Sequence, residues 1–201
     1  MHVSKGVKAV ALALVACLML SMTSFTATCE RLSSHVVRLH VLAASDSVED
    51  QAVKLQVRDA VLRETDGLLT GVKDEKTAWL LLSRKLKDIE HAANQCLQAS
   101  GSEDTAKVSL CDRVYFPTRC YETVTFPAGE YAALRVVIGE GEGRNWWCVA
   151  FPPMCLSGAC DTDSLDILSP SERRLIEEPS RYRVRWKIVE WINGFRHAAD
   201  L

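Results

Sequence analysis

The sequence predicts an α+β domain carried behind an N-terminal apolar helix. Three observations predict it: a charge-free run near the start, two apolar stripes at helical spacing between residues 48 and 99, and short strands punctuated by proline and glycine from residue 106 onward. Helices and strands segregated along the chain, rather than alternating, favour α+β over a parallel α/β sheet.

Lys5 and Lys8 open the chain with positive charge, only Ser21 is polar between Ala9 and Met22, and the first acid is Glu30. A positive start, an apolar middle and a small, polar end form the layout of a secretory signal. Residues 1–29 are therefore expected to direct export as a signal peptide or membrane anchor and to add nothing to the fold. Residues 30–201 then form one exported domain, with 170–201 as its least defined part. No clean A-x-A site follows the apolar run, and an uncut run of about 20 residues spans a bilayer. Leu14-Val15-Ala16-Cys17 has the form of a lipobox, although apolar residues continue past Cys17. Cleavage, anchoring through residues 9–22 and lipidation all stay open at this point.

Residues 36–42 read as a buried strand ended by Ser45-Asp46-Ser47. Ser47 with Asp50 three residues on has the form of a capped helix start, the serine oxygen taking an early N–H and the acid facing the positive helix end. Val53, Val57, Ala60 and Val61 continue at helical spacing, and Gly67 is expected to close this helix. A second helix, 74–99, carries Trp79, Leu82, Leu86, Ile89, Ala93 and Cys96 on one face, and Gly101 ends it. Both stripes need cover, which one face of a sheet provides. Strands follow at 108–116, 121–126, 132–138 and 146–151, with turns at Pro127-Ala128-Gly129 and at 139–143. Connections this short predict hairpins, and so a largely antiparallel sheet. Residues 157–180 read as a loose polar connection. Arg181, Arg183, Arg185 and Lys187 then alternate with Tyr182, Val184, Trp186 and Ile188, which reads as a strand with a basic face.

Chemistry is sparse. The exported part has 22 basic and 26 acidic side chains, a formal charge of −4, without the basic excess of a nucleic-acid binder. Gly139-Glu140-Gly141-Glu142-Gly143 holds two acids that would repel a phosphate, and no Gly-Lys-Ser/Thr follows. Asp161-Thr162-Asp163-Ser164-Leu165-Asp166 matches a calcium loop only in part, since Leu165 and Asp166 stand where an acid or Asn and a glycine are needed. The five histidines are scattered and no C-x-x-C occurs, so no metal site is expected. No hydrolase nucleophile motif is present, and His40 on its apolar strand reads as structural rather than as a base. No catalytic residue and no cofactor are expected. Cys148 and Cys155 flank Phe151-Pro152-Pro153, and a turn there brings them within disulfide reach; two buried thiols are the alternative. Trp146 and Trp147 face opposite sides of a strand, one toward the core and one partly exposed.

Two ordered blocks go further. Arg38-Leu39-His40-Val41-Leu42-Ala43-Ala44-Ser45-Asp46-Ser47, followed by Glu49-Asp50-Gln51-Ala52-Val53-Lys54-Leu55-Gln56-Val57-Arg58-Asp59-Ala60-Val61, forms the first. Phe116-Pro117-Thr118, Phe126-Pro127-Ala128-Gly129-Glu130-Tyr131, Leu134-Arg135 and the run from Ile138 through Asn145-Trp146-Trp147-Cys148-Val149-Ala150-Phe151-Pro152-Pro153-Met154-Cys155 form the second. In order and spacing they resemble the stage II sporulation protein R family, which more often has asparagine at the position of Ala44. Cys96, Cys111, Cys120 and Cys160 lie outside the pattern, and the tail from Pro170 matches it more weakly.

The resemblance implies a sporulation signal, made in the forespore and exported into the space between the forespore and mother-cell membranes. There it would activate a membrane-embedded aspartic protease of the mother-cell membrane, which cleaves a sigma-factor precursor. That is a ligand's role, not an enzyme's. It places the expected partner surface in the second block, at Arg144, Asn145, Trp146 and Trp147. A cell-envelope scaffold and an envelope hydrolase are the rival readings; a hydrolase requires an acid, a base and a nucleophile converging in a pocket.

Overall fold

The structure is a computed structural model, and it describes residues 5–121, 124–154, 162–180, 182 and 186–188. Helix α1 (Lys5–Ser33) leads into strand β1 (Val37–Leu42), all six of whose residues are buried. Helix α2 (Val48–Leu69) starts where expected, with Ser47 Oγ accepting from the Asp50 N–H at 3.0 Å. It runs past Gly67, because Leu69 docks in the core and holds the last turn; Gly71, at φ +77°, makes the reversal instead. Helix α3 (Glu75–Ala99) is capped by Asp74 and ends before Gly101.

Strands β2 (Ala106–Phe116), β5 (Gly129–Ile138) and β6 (Asn145–Phe151) join β1 in one sheet, while β3 (Arg119–Cys120) and β4 (Thr125–Phe126) form a separate small hairpin. The order is β2-β5-β1-β6, with β2–β5 and β1–β6 antiparallel and β1–β5 parallel. The sheet is thus mixed and mostly antiparallel. The hairpin expected across residues 139–143 does not form: β1 lies between β5 and β6, and the loop crosses over its end. That insertion buries β1 on both edges as well as both faces, which its run of apolar residues favours.

Leu39, Val41, Leu134, Val136, Cys148 and Ala150 face α2 and α3, where Val57, Val61, Leu82, Ile89 and Ala93 meet them in one buried cluster. Helix α3 also guards the outer edge of β2. Asn94 accepts from the Ala106 N–H at 2.8 Å and donates to the Ala106 carbonyl at 2.9 Å, and Glu90 accepts from the Val108 N–H at 2.8 Å. Backbone groups that would otherwise invite another strand are satisfied there.

The opposite face of the sheet has its own cover. A 3-10 helix (Thr162–Ile167) and helix α4 (Pro170–Glu177) occupy the region expected to be a loose connection. Ser169 and Glu172 cap α4 reciprocally, with Pro170 at its first position, and Leu165, Leu168, Leu175 and Ile176 are buried. The basic-faced strand expected at 181–187 is also corrected. Residues 182 and 186–188 are helical, and Tyr182 and Trp186, one helical turn apart, both pack in this second cluster; Arg181, Arg183, Val184 and Arg185 lie outside the described residues.

The end of α1 joins the same cluster. Phe25 and Leu32 are 4% and 0% exposed, Met22 and Cys29 pack beside them, and Phe25 stacks on Tyr182 with centroids 5.6 Å apart. Residues 1–29 therefore do contribute to the fold through their last turns. A chain beginning at Glu30 is expected to be less stable than one beginning at Met22 by about 3 kcal/mol or more, the usual scale for emptying a buried Phe site. Urea unfolding of both chains checks this; equal stabilities would mean that α1 contributes nothing.

Candidate functional site

The expected partner surface sits where the crossing loop enters β6. The loop must lie close against the end of β1: the Gly143 N–H donates to the Ala43 carbonyl at 2.9 Å, and a Cβ on Gly143 would fall 2.2 Å from the Ser45 oxygen. Gly141 turns the chain at φ +71°. The glycines of the Gly-Glu-Gly-Glu-Gly run thus serve backbone geometry, and Glu140 and Glu142 point outward into solvent. Asp46 accepts from the Arg144 N–H at 2.8 Å and lies 3.6 Å from its guanidinium.

Beneath this loop is a group that sequence reasoning passed over. Lys54 of α2 is 4% exposed, and its ammonium donates to Gln51 Oε1 at 2.6 Å and to the Arg144 carbonyl at 2.9 Å. Burial lowers its pKa from the usual lysine value. Its only sequence signal was a lysine next to the apolar stripe, which ordinarily means a solvated helix flank.

The tryptophan pair is directed inward on both sides, so neither ring is an exposed anchor. Trp146 is half-buried against the α2–α3 side, with the Arg58 guanidinium 4.4 Å above its ring. Trp147 is half-buried on the other side, stacked on His40 at 3.9 Å between centroids and edge-on to Phe116 at 4.7 Å. Arg144, 78% exposed, and Asn145 are what this segment offers to a partner.

His40 behaves as a structural histidine. Its Nε2 pairs with Asn145 Oδ1 at 2.6 Å, and Nδ1 has no hydrogen-bond partner among the described residues. Burial lowers its pKa to about 4, with nearby Arg135 acting in the same direction. Among the described residues no acid orients it toward a nucleophile.

Next to it lies Arg38, fully buried with no carboxylate partner among the described residues. The guanidinium carbon sits 4.4, 5.0 and 5.2 Å from the ring centroids of Phe116, Tyr131 and Phe126. Nε donates to the Cys148 carbonyl at 2.7 Å and Nη2 to Tyr121 Oη at 2.9 Å, while Tyr121 donates onward to the Trp147 carbonyl at 3.2 Å. Tyr131, its pKa raised by burial, donates to the Pro127 carbonyl at 2.7 Å.

Cys148 is disulfide-bonded and buried, whereas Cys17, Cys29, Cys96, Cys111 and Cys120 are free. Cys155 lies outside the described residues. Among the described residues no group of three or more His, Cys, Asp or Glu side chains is placed to hold a metal. An open cleft of about 360 Å³ is lined by Glu75, Lys76, Trp79, Asp112 and Ala132, a set without a nucleophile-and-base pair.

With this geometry in hand, comparison with known proteins adds two findings. The family described as Stage II sporulation protein R matches residues 33–161, which takes in the whole sheet and the α2–α3 layer. The chain is 36% identical over 179 residues to Stage II sporulation protein R of Bacillus subtilis (strain 168), covering 78% of this chain and 80% of that protein. No solved structure matches.

Two outcomes follow from the site. A histidine near pKa 4 in the fold and near 6.5 when unfolded takes up its proton preferentially in the unfolded chain, so stability is kept above about pH 6.5 and lost as pH falls toward 4. Between about pH 7 and pH 5 the loss is roughly 2 kcal/mol, and it shrinks in His40→Phe; denaturant titrations at both pH values read it. We further expect Cys148 to pair with Cys155 in protein from an oxidising compartment. Peptide mapping without reduction identifies the pair, and Cys148→Ser lowers stability by roughly 2–3 kcal/mol.

Proposed function

The chain belongs to the stage II sporulation protein R family, and from that premise we propose that it is an exported signal between the two compartments of a sporulating cell. Made in the forespore and moved into the space between the forespore and mother-cell membranes, it binds a membrane-embedded aspartic protease of the mother-cell membrane. Binding switches the protease on, and the protease cleaves the precursor of a mother-cell sigma factor. The observation that carries the proposal is the family match across 33–161, the region that builds the sheet and its first helical layer.

The geometry supports a binding role over a chemical one. The polar groups that stand out in the matched region are spent on the fold: Arg38 under three rings, His40 against Trp147, Lys54 on the loop carbonyl. A ligand of this kind works only through preference. It shifts the protease toward its active state by as much as it binds that state more tightly than the resting one. Arg144 and Asn145 are the exposed residues on the rigid β1–β6 edge of the loop, and we assign them to the contact.

The test is co-production of this protein with the protease and the sigma precursor in a non-sporulating cell. Precursor cleavage should require all three. Arg144→Glu should suppress cleavage while leaving the melting temperature nearly unchanged, because the 78%-exposed side chain makes only a solvent-facing ion pair with Asp46. Cleavage that proceeds equally without this protein, or never occurs with all components folded, would overturn the role.

A further inference from the structure

We infer that the open half of the sheet's second face is a docking surface for a short acidic segment of a partner protein, one of whose carboxylates sits on Arg135. The inference does not rest on the protease reading; it fixes what the partner presents, not which protein presents it. The two faces of the sheet are covered unequally. Helices α2 and α3 lie along the first face, where Leu134, Val136 and Ile138 of β5 are all buried. On the second face the cover given by α1, α4 and Phe116 reaches Ala133 and Val149, which are buried, and stops there. Beyond it Lys107 and Ser109 are exposed, and Arg135, Val137 and Trp147 are only half-buried.

Strand register sets four of these side chains in one row. Ser109 pairs with Arg135, Arg135 with His40 and His40 with Trp147, across β2-β5-β1-β6. His40, stacked on Trp147, is uncharged at neutral pH, so Arg135 is the charged member of the row. Among the described residues no carboxylate pairs with its guanidinium. Its Nε is buried without a hydrogen-bond partner, while its two Nη atoms are not among the buried orphans and so reach solvent. The head group is held by its neighbours with free donors directed outward. Arg38, its diagonal neighbour opposite Ala133, is one row deeper and also lacks a carboxylate partner among the described residues. None of the side chains that the four strands place on this half of the face is acidic, although residues 30–201 carry a formal charge of −4. Two guanidinium groups without a counter-charge make a local field that draws an anion.

The shape of the surface selects among anions. An anionic membrane is held by clusters of protruding lysines and arginines. Here only Lys107 protrudes, on a domain whose net negative charge opposes such a surface. A planar guanidinium fixed in one position instead matches a single carboxylate, which accepts two parallel N–H donors. Trp147, two strands away, leaves part of its ring uncovered, where an apolar or aromatic side chain of the partner can rest. Strands about 4.8 Å apart put the backbones at Arg135 and Trp147 roughly 10 Å from each other. Alternate residues of an extended segment point to one side about 6.8 Å apart, so a carboxylate and a ring two positions apart reach both. Carboxylate and apolar side chain together are the chemistry of a peptide, not of a headgroup.

The probe is a fluorescein-labelled peptide, Asp-Ser-Phe-Ser-Asp-Ser-Phe, which carries carboxylates and rings on one side when extended. Fluorescence anisotropy reads its binding to the full-length protein in non-ionic detergent. Binding should weaken as salt is raised. It should fall roughly tenfold or more when asparagine replaces both aspartates, or when Arg135→Gln removes the cation. Ser109→Glu, at the exposed end of the row, sets a carboxylate beside Arg135 and should block the probe as well; this second variant decides the matter if Arg135→Gln disturbs the fold. Lys87→Gln, the same loss of charge at an exposed site on α3, should change nothing. No binding by the wild-type protein, equal binding of the asparagine peptide, or binding unaffected by both face variants would overturn the inference. Displacement of the probe by phosphatidylglycerol doped into the micelles would give the face to a lipid headgroup and overturn it equally.

Discussion

A single buried cation organises the half of this protein that lies between the sheet and its second helical layer. Arg38 sits on the central strand, fully out of water, with no carboxylate partner among the described residues. A cation moved into such surroundings without compensation costs several kcal/mol. Here the faces of Phe116, Tyr131 and Phe126 approach it together, and two backbone and side-chain oxygens accept its protons. Cation–π contacts of about 1–2 kcal/mol each and charge-assisted hydrogen bonds of similar size offset the desolvation only if all partners are in place. The contributors come from β2, β4, β5, β6 and the segment after β3, so the arginine couples elements remote in sequence. Its demand for partners explains why the small β3–β4 hairpin folds back over the sheet.

The same logic accounts for the candidate surface. The loop between β5 and β6 is held from below by Lys54 and from the side by Asp46, so Arg144 and Asn145 are displayed from a fixed frame. Two tryptophans next to them would be obvious anchors for a partner if they faced outward. Instead one packs under Arg58 and the other on His40, bracing the strand that carries the loop. Rigid presentation suits a ligand that must favour one state of its target, since a mobile contact surface loses binding free energy to ordering.

Several features were legible in advance because they depend on neighbours within a few residues. Ser47 and Asp50 marked the start of α2, the stripe from Leu82 to Ala93 marked α3, and the short apolar run around Leu39 marked β1. The Ser169-Pro170-Ser171-Glu172 capping box was equally local and equally readable, yet the surrounding polar residues disguised α4 as a connection. Residues 181–187 misled for a different reason. Alternating basic and apolar residues fit a strand, but Tyr182 and Trp186 are also one helical turn apart, and the cluster around Phe25 selects that spacing.

By itself the sequence determined that the chain opens with an apolar helix of the kind a signal or anchor has, that two helices flank a sheet, and that the family blocks run through it, since these follow from local periodicity, charge and residue order. Only the tertiary structure decided that β1 inserts between β5 and β6, that Arg38 is buried, that Lys54 supports the loop, and that the N-terminal helix ends inside the core. Periodicity records which side of an element is apolar, but not which distant element will cover it. Those choices are settled by burying every apolar face at once while leaving each buried cation and backbone group a partner, and no short stretch of sequence contains that condition.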